Sequence, residues 1–352
     1  MFLFVNNILK SSSTARARQI FENEKAFKNL INSDFKSIDA DDFLFSKIIK
    51  NENNSLRKFF FHFYFLIKVI FINRKAIVYS RNLSVVYLAN KMGFSSVWEA
   101  HDLPKGINIT LLKAIINNCK IISISKALGD KICEVYKIKQ NAVFTAHDGV
   151  DIKAYDSLRN IDATIIRKKY NIPIDKKVIL HSGSIMQERG ASLFKDVLIN
   201  LPDWFFVQVG GKNKDIELLK KDLTSFSNYI IIPHQEVEEL IKLQFSCDAL
   251  FYMITKETKT YWCCSPMKIF EYLATGRPIV ASNIGSLNEI LTKDVAYLYN
   301  PEDKDSLQNA LLKLNSINES SVISKNAVEL VRQKFTWNLR AQQILNFLEF
   351  KN

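Results

Sequence analysis

A single carboxylate, Glu271, interrupts the apolar segment KIFEYLATGRPIVAS that runs from Lys268 to Ser282. An unpaired charge is costly to bury, so an acid within such a helix needs either a solvated position or a polar partner. In a solvated position, Glu271 would pair with Lys268 at i,i+3, an interaction worth about 0.2–0.5 kcal/mol. In a buried position, the carboxylate would be available to a ligand.

The residues ahead of Glu271 favour a ligand. Ser265 and Pro266 begin the helix, because proline is well placed in a first turn, and the amides of Met267 and Lys268 then point out of its N-terminus. A helix N-terminus attracts anions. A diphosphate at these amides would leave Glu271, one turn further on, beside the next polar group of the ligand, such as the diol of a ribose.

Two more turns have residue types that suit a phosphate. In VILHSGSIMQERG, residues 178–190, a predicted strand ends at Gly183 and Ser184, and Arg189 precedes the next helix. Small residues let a ligand approach the backbone, and arginine offers a forked cation. One strand later, FFVQVGGKNKD repeats the arrangement with Gly210 at the strand end. Taken alone, each turn is equally consistent with an ordinary strand-to-helix connection.

The elements that would position these turns alternate regularly between strand and helix. The predicted strands are Phe2–Val5, Ala76–Tyr79, Ser96–Glu99, Ile121–Ile124, Ala142–Thr145, Lys177–Ser182, Trp204–Val209, Tyr229–Ile232, Ala249–Tyr252, Pro278–Ala281 and Ala296–Tyr299. The predicted helices are Thr14–Asn32, Ile109–Asn118, Lys126–Tyr136, Ala191–Asn200, Ile216–Ser225, Val237–Gln244, Met267–Ala274 and Trp337–Phe350. Such alternation is typical of doubly wound parallel sheets.

The alternation occurs twice, which predicts an α/β fold with two doubly wound, Rossmann-like domains facing across a cleft. Residues 1–155 form the first domain, 156–176 a polar linker, and 177–335 the second domain, while 336–352 hold a C-terminal helix that could cross back to the first. A chain of 352 residues is long enough for two cores. Ligands of open α/β sheets bind at the carboxyl ends of the strands.

Composition points to a soluble cytoplasmic protein. The five cysteines are an odd number without CxxC or CxxH spacing, which argues against a disulfide framework and a zinc site and favours a reducing compartment. The N-terminal MFLFVNNILKSSS lacks the basic start and long apolar region of a signal peptide, and it predicts a first strand instead.

Positive charge is concentrated in the first half of the chain. Residues 1–150 carry 22 Lys and Arg against 12 Asp and Glu, a net of +10, whereas the whole chain has a net charge of +12. A basic half indicates an anionic partner, and a merely solvated surface is the alternative. Because the charge forms no Lys/Arg block, we expect no nucleic-acid partner and favour contact with an anionic membrane.

The longest apolar run lies in this basic half, from Leu56 to Lys75. Its apolar part, Phe59 to Ile72, contains His62 and Lys68 and is too short to span a bilayer, which takes about 20 residues. A buried core helix is the favoured interpretation. The alternative is a helix that lies in the membrane interface, with basic residues at its ends.

Several motifs, most of them in the second half of the chain, resemble those of a known family. SPMKIFEYLATGRPIVASNIGSLNEIL is similar to the donor-binding signature of retaining GT-B glycosyltransferases of family 4. HSGSIMQERG, AHDGVD, WEAHD and FTWNLRAQQIL fit the same family pattern, so that the resemblance extends from about residue 76 to residue 345. It is specific in the second domain and weak before residue 76.

The resemblance implies roles for particular residues. Glu271 matches the second glutamate of the family's E-x7-E motif and would hold the donor ribose, and Arg189 stands where the family has a basic residue on the diphosphate. His101 matches a histidine near the transferred sugar and is the catalytic candidate. The implied donor- or nucleotide-binding residues are Gly183, Ser184, Arg189, Gly210, His234, Ser265, Met267, Lys268 and Glu271, with Cys263 and Cys264 in the donor-sugar region.

Three features depart from the family pattern. Cys263 occupies the position of the first motif glutamate, which leaves the choice of sugar open, and Ser184 stands where many members have a second phosphate-binding arginine. The glycine-rich loop after the first strand is also missing, with Ser11–Ser13 and Arg16 as substitutes. IDADD, residues 38–42, has the D-x-D spacing of metal-dependent glycosyltransferases but no clear strand before it, and we interpret it as a solvated turn.

The sequence therefore predicts a retaining, metal-independent hexosyltransferase without a cofactor. It would move a sugar from a nucleotide diphosphate donor to a glycan or lipid-linked acceptor, in cell-surface polysaccharide or lipopolysaccharide synthesis, on the inner face of the membrane. The alternatives are a GT-B-like sugar-nucleotide epimerase and a non-catalytic nucleotide-sugar-binding protein. The donor sugar, base, acceptor, linkage and oligomeric state are left open.

Overall fold

The computed structural model describes residues 1–9, 14–43, 55–315 and 317–350. The chain divides into two compact units, one made of Met1–Asp148 with Trp337–Asn352 and the other of Gly149–Thr336. Each unit contains a six-stranded parallel sheet with helices between the strands. The predicted α/β fold with two Rossmann-like domains is confirmed.

The sheet of the first unit has the strand order β2-β1-β3-β4-β5-β6. Its strands are β1 (Phe2–Asn6), β2 (Phe35–Asp39), β3 (Ile77–Ser80), β4 (Ser95–Ala100), β5 (Cys119–Ser123) and β6 (Val143–Thr145). The helices are α1 (Ala15–Ile31), α2 (Ser55–Val69), α3 (Leu83–Lys91), α4 (Ile107–Ile115), α5 (Lys126–Tyr136) and, at the chain's end, α14 (Trp337–Phe347).

Strand β2 was not predicted, and its presence changes the interpretation of IDADD. The strand pairs with β1 along its whole length, from Phe2↔Phe35 to Asn6↔Asp39. Only its last two residues are buried, so an alternating apolar pattern is missing from the sequence. Asp39 is 2% exposed and accepts a hydrogen bond from the amide of Asp41 at 3.1 Å. The expectation of a solvated turn is therefore wrong for this aspartate.

Helix α14 belongs to the first unit although it lies at the other end of the sequence. The ring of Phe347 stacks on Phe144 at 5.2 Å, and Phe350, just beyond the helix, meets Phe2 edge-on at 5.9 Å. Lys120 donates a hydrogen bond to the carbonyl of Phe347 at 2.9 Å. These contacts bring the buried Arg340 into the core of the first unit.

The second unit begins earlier than predicted. Residues 156–176, expected to be a linker, contain the end of helix α6 (Ile152–Leu158) and all of α7 (Ala163–Lys169). Arg167 is buried and donates to the carbonyl of Ser246 at 2.7 Å and to Asp248 at 2.8 Å. The polar composition that indicated a linker thus includes a buried arginine that anchors this segment to the second unit.

The sheet of the second unit has the order β12-β11-β10-β7-β8-β9. Its strands are β7 (Val178–Ser182), β8 (Phe205–Val209), β9 (Tyr229–Ile232), β10 (Ala249–Tyr252), β11 (Ile279–Ser282) and β12 (Tyr297–Tyr299). The helices that follow α7 are α8 (Leu193–Asn200), α9 (Asn213–Asp222), α10 (Val237–Phe245), α11 (Met267–Thr275), α12 (Lys304–Leu312) and α13 (Ile317–Lys334).

The strand order of this sheet determines where a ligand can bind. Strands β7, β8 and β9 follow one another in one direction, whereas β10, β11 and β12 follow in the other. Connections therefore diverge between β7 and β10, and this topological switch point leaves a crevice at the carboxyl ends of the strands. The turn after β7 and the loop that leads from β10 to α11 both start there.

Within the described part of the chain, no helix is both long enough and apolar enough to cross a membrane. Helix α2 contains most of the apolar run identified in the sequence. Phe61, Phe65 and Val69 on one side are buried, whereas the opposite side is exposed. The core-helix prediction is therefore right for one face of α2 and wrong for the other.

Candidate active site

Two predicted residues, Gly183 and Lys268, meet at the switch point of the second unit. Gly183 has φ of +110°, and a Cβ at this position would overlap Cε and Nζ of Lys268. Gly210, at the end of β8, lies against the same turn, with its Cβ direction 3.8 Å from the Cα of Gly183. The glycines thus leave room for a lysine side chain, and for a ligand, directly on the backbone.

A buried pair that was not predicted holds this turn in place. His181 and Gln208 lie opposite each other on β7 and β8, and Nδ1 of His181 donates to Oε1 of Gln208 at 2.8 Å. Nε2 of Gln208 donates to the carbonyls of Gly183 at 3.1 Å and Gly210 at 3.0 Å. The side chain of Gln208 therefore ties the two glycine turns together. A facing polar pair inside two apolar strands was the signal available in the sequence.

His181 is neutral near pH 7. Burial lowers the pKa of His181 to about 3, and the charges of Lys268 and Arg189 lower it further, against the hydrogen bond to Gln208. Both cations must therefore lie close to this imidazole. Because His181 is neutral, the positive charge around it comes from Lys268 and Arg189.

Helix α11 is fixed to the same sheet edge by a tyrosine. The hydroxyl of Tyr272 accepts a hydrogen bond from the amide of Ser182 at 2.9 Å and lies 3.1 Å from its Oγ. The helix starts after Pro266, whose side chain provides no cap, and ends at Gly276 with φ of 69°. Amides in the first turn of a helix have no partner within the helix, which makes this end suited to an anion.

Glu271 is 3% exposed, in the second turn of α11. A position on the protein surface is thereby excluded, and with it the interpretation as a solvated pair with Lys268. Lys268 itself is half-buried over Gly183. The carboxylate and the lysine thus lie one turn apart on the helix that is attached to β7.

Arg189 lies in the same region. Its charge lowers the pKa of His181. Burial raises the pKa of the Cys264 thiol, and the charge of Arg189 opposes this shift. The Nε of Arg189 is buried and has no hydrogen-bond partner among the described residues. A buried guanidinium nitrogen without a partner is costly, and an anionic ligand would satisfy it.

The loop before α11 is packed tightly. A Cβ on Gly285, which has φ of +58°, would overlap the carbonyl oxygen of Tyr261, and Ser286 donates to the carbonyl of Cys264 at 2.6 Å. Cys263 is 0% exposed, and Ser265 is also buried. The thiol that replaces the first motif glutamate is therefore enclosed by protein.

Two of the predicted residues are exposed to solvent and are not buried in this cluster. Ser184 is exposed next to Gly183, and His234 is exposed in the loop after β9. Both loops follow strands of the same parallel sheet, so the two side chains share an edge with the cluster while facing solvent.

In the first unit, His101 follows β4 and pairs with a buried carboxylate. Nε2 of His101 lies 2.5 Å from Oε1 of Glu99, and the His101 side chain is 19% exposed. Burial and the charge of Arg81 lower the pKa of His101 to about 3, against the attraction of Glu99. The neutral imidazole therefore donates its Nε2 proton to Glu99 and keeps Nδ1 as an acceptor.

Glu99 was not predicted, yet it accepts hydrogen bonds from several side chains of this unit. Oε1 accepts from Gln19 at 2.8 Å, Oε2 accepts from Asn23 at 2.8 Å, and the hydroxyl of Tyr79 also donates to Oε2. Burial alone would raise the pKa of Glu99, but Arg340, 3.5 Å away, together with His101 and Arg81 holds that pKa well below its usual range. Glu99 is therefore ionised.

A second buried acid, Asp148, borders this group. Burial raises the pKa of Asp148 to about 6, although Arg340 and Arg81 oppose the shift. Arg340 donates to Oδ1 of Asn23 at 2.7 Å and to the carbonyl of His147 at 3.0 Å. Helix α14 thus supplies the cation that makes two buried carboxylates tolerable.

The turn after β1 stands where a glycine-rich loop was expected. The side chain of Asn6 bonds to both the amide and the carbonyl of Ile8 at 2.9 Å, which fixes the turn without glycine. A shallow cavity here is lined in part by Arg16, Ser80 and Arg81, and Arg16 is otherwise exposed. The predicted substitutes Ser11–Ser13 lie outside the described residues.

The described residues contain no group of three or more His, Cys, Asp or Glu side chains arranged to hold a metal ion. IDADD is included in that statement, because residues 38–42 are all described. The positive charge of the candidate site comes instead from Lys268, Arg189 and the first turn of α11.

Solved structures with the same arrangement of two α/β units identify the type of fold. A glycosyltransferase from Rickettsia africae aligns over 99% of this chain and 97% of its own, with a TM-score of 0.78 and 17% identity. Anabaena HepE in complex with UDP-glucose aligns over 99% of both chains, with a TM-score of 0.77 and 16% identity. At these identities the match establishes the fold, which is the GT-B fold of two Rossmann-like domains.

Residues 162–329, which lie in the second unit, match the family described as glycosyl transferases group 1. An uncharacterized glycosyltransferase of Methanocaldococcus jannaschii is 22% identical over 256 residues, which make up 70% of this chain and 63% of the relative. The matched part thus spans less than two thirds of that relative. The predicted resemblance to glycosyltransferases of this group is confirmed.

Proposed function

We propose that this protein transfers a hexose-type sugar from a nucleotide diphosphate donor, bound by the second unit, to a glycan or lipid-linked acceptor bound by the basic first unit. The configuration at the anomeric carbon is retained, and no metal ion or other cofactor takes part. The product belongs to a cell-surface polysaccharide or lipopolysaccharide, made on the inner face of the membrane.

The observation that carries the proposal is the contact between Lys268 and Gly183. The lysine lies over bare backbone at the switch point of the sheet, next to the N-terminus of α11. The buried Nε of Arg189 supplies a second cationic donor in the same region. Two cations and the positive end of a helix suit a diphosphate better than a neutral ligand.

The donor diphosphate would lie across these groups. Lys268 and Arg189 would neutralise its charge, and Glu271, buried one turn further along α11, would accept hydrogen bonds from the ribose hydroxyls. In the transfer step, the bond from the anomeric carbon to the diphosphate oxygen breaks on the face where the acceptor oxygen attacks. The acceptor proton passes to the departing diphosphate, whose charge the two cations stabilise.

His101 would contribute a neutral hydrogen-bond acceptor on the first unit. Its Nε2 proton is committed to Glu99, so Nδ1 is the nitrogen available to a substrate hydroxyl. A pKa of about 3 keeps this nitrogen unprotonated throughout the physiological range. The side chain would therefore orient a hydroxyl, and it would not act as an acid.

Names of matched proteins support the donor and acceptor classes. The Anabaena HepE structures contain UDP or UDP-glucose. Curated relatives include a processive diacylglycerol alpha-glucosyltransferase of Acholeplasma laidlawii and a lipopolysaccharide 1,2-N-acetylglucosaminetransferase of Salmonella typhimurium, each 24% identical over part of the chain. A lipid-linked or lipopolysaccharide acceptor is the assignment that these names favour.

A panel of nucleotide sugars, screened by the thermal unfolding midpoint, tests the donor. A ligand that binds only the folded chain raises this midpoint. Turnover of the selected donor is then followed with and without a glycolipid acceptor and in the presence of a chelator. Retention is read from the anomeric signals of the product by NMR. We expect transfer only with acceptor, and no loss of turnover with the chelator.

The enclosed Cys263 favours one second candidate, a protein that binds a nucleotide sugar without transferring it. In that case the same panel would give a raised midpoint and no product with any acceptor. A sugar epimerised without acceptor would identify the epimerase alternative.

A further inference from the structure

Helix α2 of the first unit exposes a continuous apolar face. Its outward side consists of five large apolar residues, each more than half exposed, which we call the α2 stripe: Leu56, Phe59, Phe63, Ile67 and Ile70. They follow one another at intervals of three and four residues, which places them on one side of the helix. Ile70 lies in the turn just after the last helical residue.

The stripe continues into the chain that follows the helix. Phe71, next to Ile70, is 97% exposed, an unusual position for a phenylalanine in a folded protein. Other large exposed apolar residues occur in the second unit, but at unrelated positions such as Ile165, Ile174 and Ile199. A contiguous exposed apolar surface marks a place of contact with a partner or a membrane.

Basic residues occur in the first and last turns of helix α2 and just after it. Lys58 and Lys75 are exposed, and Lys68 lies 5.3 Å from the ring centroid of Tyr64. Arg74 donates to the carbonyls of Val69 at 3.0 Å and Ile70 at 3.4 Å, which keeps its guanidinium at the end of the helix. Long basic side chains beside an apolar face suit a surface with an apolar interior and anionic head groups.

Charge decides between the two occupants that such a face could have. A second copy of the chain would bring together two halves that each carry a net charge of +10 over residues 1–150. An anionic lipid surface carries the opposite charge. With 15 residues, α2 is too short to span a bilayer, which leaves an orientation parallel to the membrane plane.

We propose that the α2 stripe docks the first unit on an anionic lipid surface, with Phe59, Phe63 and Phe71 inserted among the acyl chains. This inference specifies the membrane contact of the proposed function, but it does not depend on the transfer reaction. Hydrophobic insertion supplies the attachment, and the basic residues select anionic lipids. Membrane contact through charge alone would leave the three phenylalanines without a role.

Flotation of the full chain on vesicles tests the inference. The vesicles consist of phosphatidylcholine alone or of phosphatidylcholine with phosphatidylglycerol. We expect the unmodified chain to float with the anionic vesicles, and the triple variant Phe59→Gln/Phe63→Gln/Phe71→Gln to partition at least about tenfold less, because three exposed rings no longer leave water. The matched control, Ile165→Gln/Ile174→Gln/Ile199→Gln, should float like the unmodified chain.

Two measurements show that the triple variant is folded and keep the inference distinct from the proposed function. Its far-UV circular dichroism and its affinity for the selected nucleotide sugar, which the second unit binds, should be unchanged. Equal flotation of the triple variant and the control would overturn the inference. So would the absence of any flotation together with light scattering that reports a dimer in the unmodified chain and a monomer in the triple variant. Either result would leave donor binding intact.

Discussion

The side chain of Lys268 occupies the space that a Cβ on residue 183 would fill. This contact joins the start of α11 to the turn after β7, and it exists because Gly183 has φ of +110° and no side chain. Tyr272 fixes the same helix to Ser182, so that the lysine is positioned from two sides. The arrangement makes the glycine and the lysine parts of one site.

Substitution of Gly183 by alanine should therefore impair donor binding. The new methyl group must displace Lys268, so we expect the affinity for the nucleotide sugar to fall at least about tenfold, the scale of one charge-assisted hydrogen bond. The control is Gly93→Ala, because Gly93 also has positive φ, +85°, but has nothing within 4 Å of its Cβ direction. Calorimetry should give normal donor affinity for this control. Equal affinity losses in the two variants would contradict a local effect.

Loss of the Glu271 carboxylate should weaken the binding of the donor through its ribose. We expect Glu271→Ala to cost at least ~1–3 kcal/mol of nucleotide-sugar binding free energy, as measured by calorimetry. Glu257→Gln, an exposed acid in the loop before the same helix, is the control and should bind normally. Unchanged donor affinity of Glu271→Ala would remove this residue from the site.

The role of His101 can be separated from donor binding, because it lies in the other unit. We expect His101→Asn to lower turnover about tenfold, the scale of one lost hydrogen bond to a substrate hydroxyl, with donor affinity in calorimetry unchanged. His62→Asn is matched to it, since His62 is a half-buried histidine of the same unit that bonds to Ser84 at 2.8 Å. A similar loss of turnover in both variants would identify His101 as merely structural.

Two buried histidines should make the fold sensitive to acid. His101 and His181 have a pKa of about 3 in the folded chain against 6.5 in an unfolded one. Between these values the unfolded chain binds more protons, so the free energy of unfolding falls as the pH falls, by ~1 kcal/mol per pH unit for each histidine. Asp148, whose pKa is raised from 3.8 to about 6, has the opposite effect within its own narrower window.

Urea unfolding at pH 7, 6 and 5 measures this dependence. We expect His181→Asn, whose amide can still donate to Gln208, to lose stability with falling pH less steeply than the unmodified chain, by ~1 kcal/mol per pH unit. Parallel pH profiles for the two chains would show that His181 has the same pKa in the folded and the unfolded chain, which would contradict a pKa lowered by burial.

The sequence predicted most strands, because they are short β-branched or apolar runs between turns. It also predicted the glycine turns and the start of α11, since glycine and proline have local conformational preferences that need no tertiary context. Strand β2 was missed because only its last two residues are buried. Its identity as a strand depends on pairing with β1, which the local pattern does not contain.

The polar group around Glu99 was missed for a related reason. Gln19 and Asn23 come from α1, Tyr79 comes from β3 and Arg340 comes from α14. None has a motif of its own, and Arg340 is contributed by the last helix of the chain. Such a group becomes visible only when the fold brings distant segments together. His181 and Gln208 left a weaker signal than a motif, namely one polar residue in each of two apolar strands.

The central claim is that Lys268 binds the diphosphate of a nucleotide donor, and calorimetry tests it most directly. The nucleoside and the nucleoside diphosphate of the selected donor are titrated into the unmodified chain, Lys268→Met, and the control Lys212→Met, an exposed lysine after β8. We predict that the diphosphate binds at least about tenfold more tightly than the nucleoside, and that this ratio collapses in Lys268→Met and persists in the control. An unchanged ratio in Lys268→Met would contradict the account.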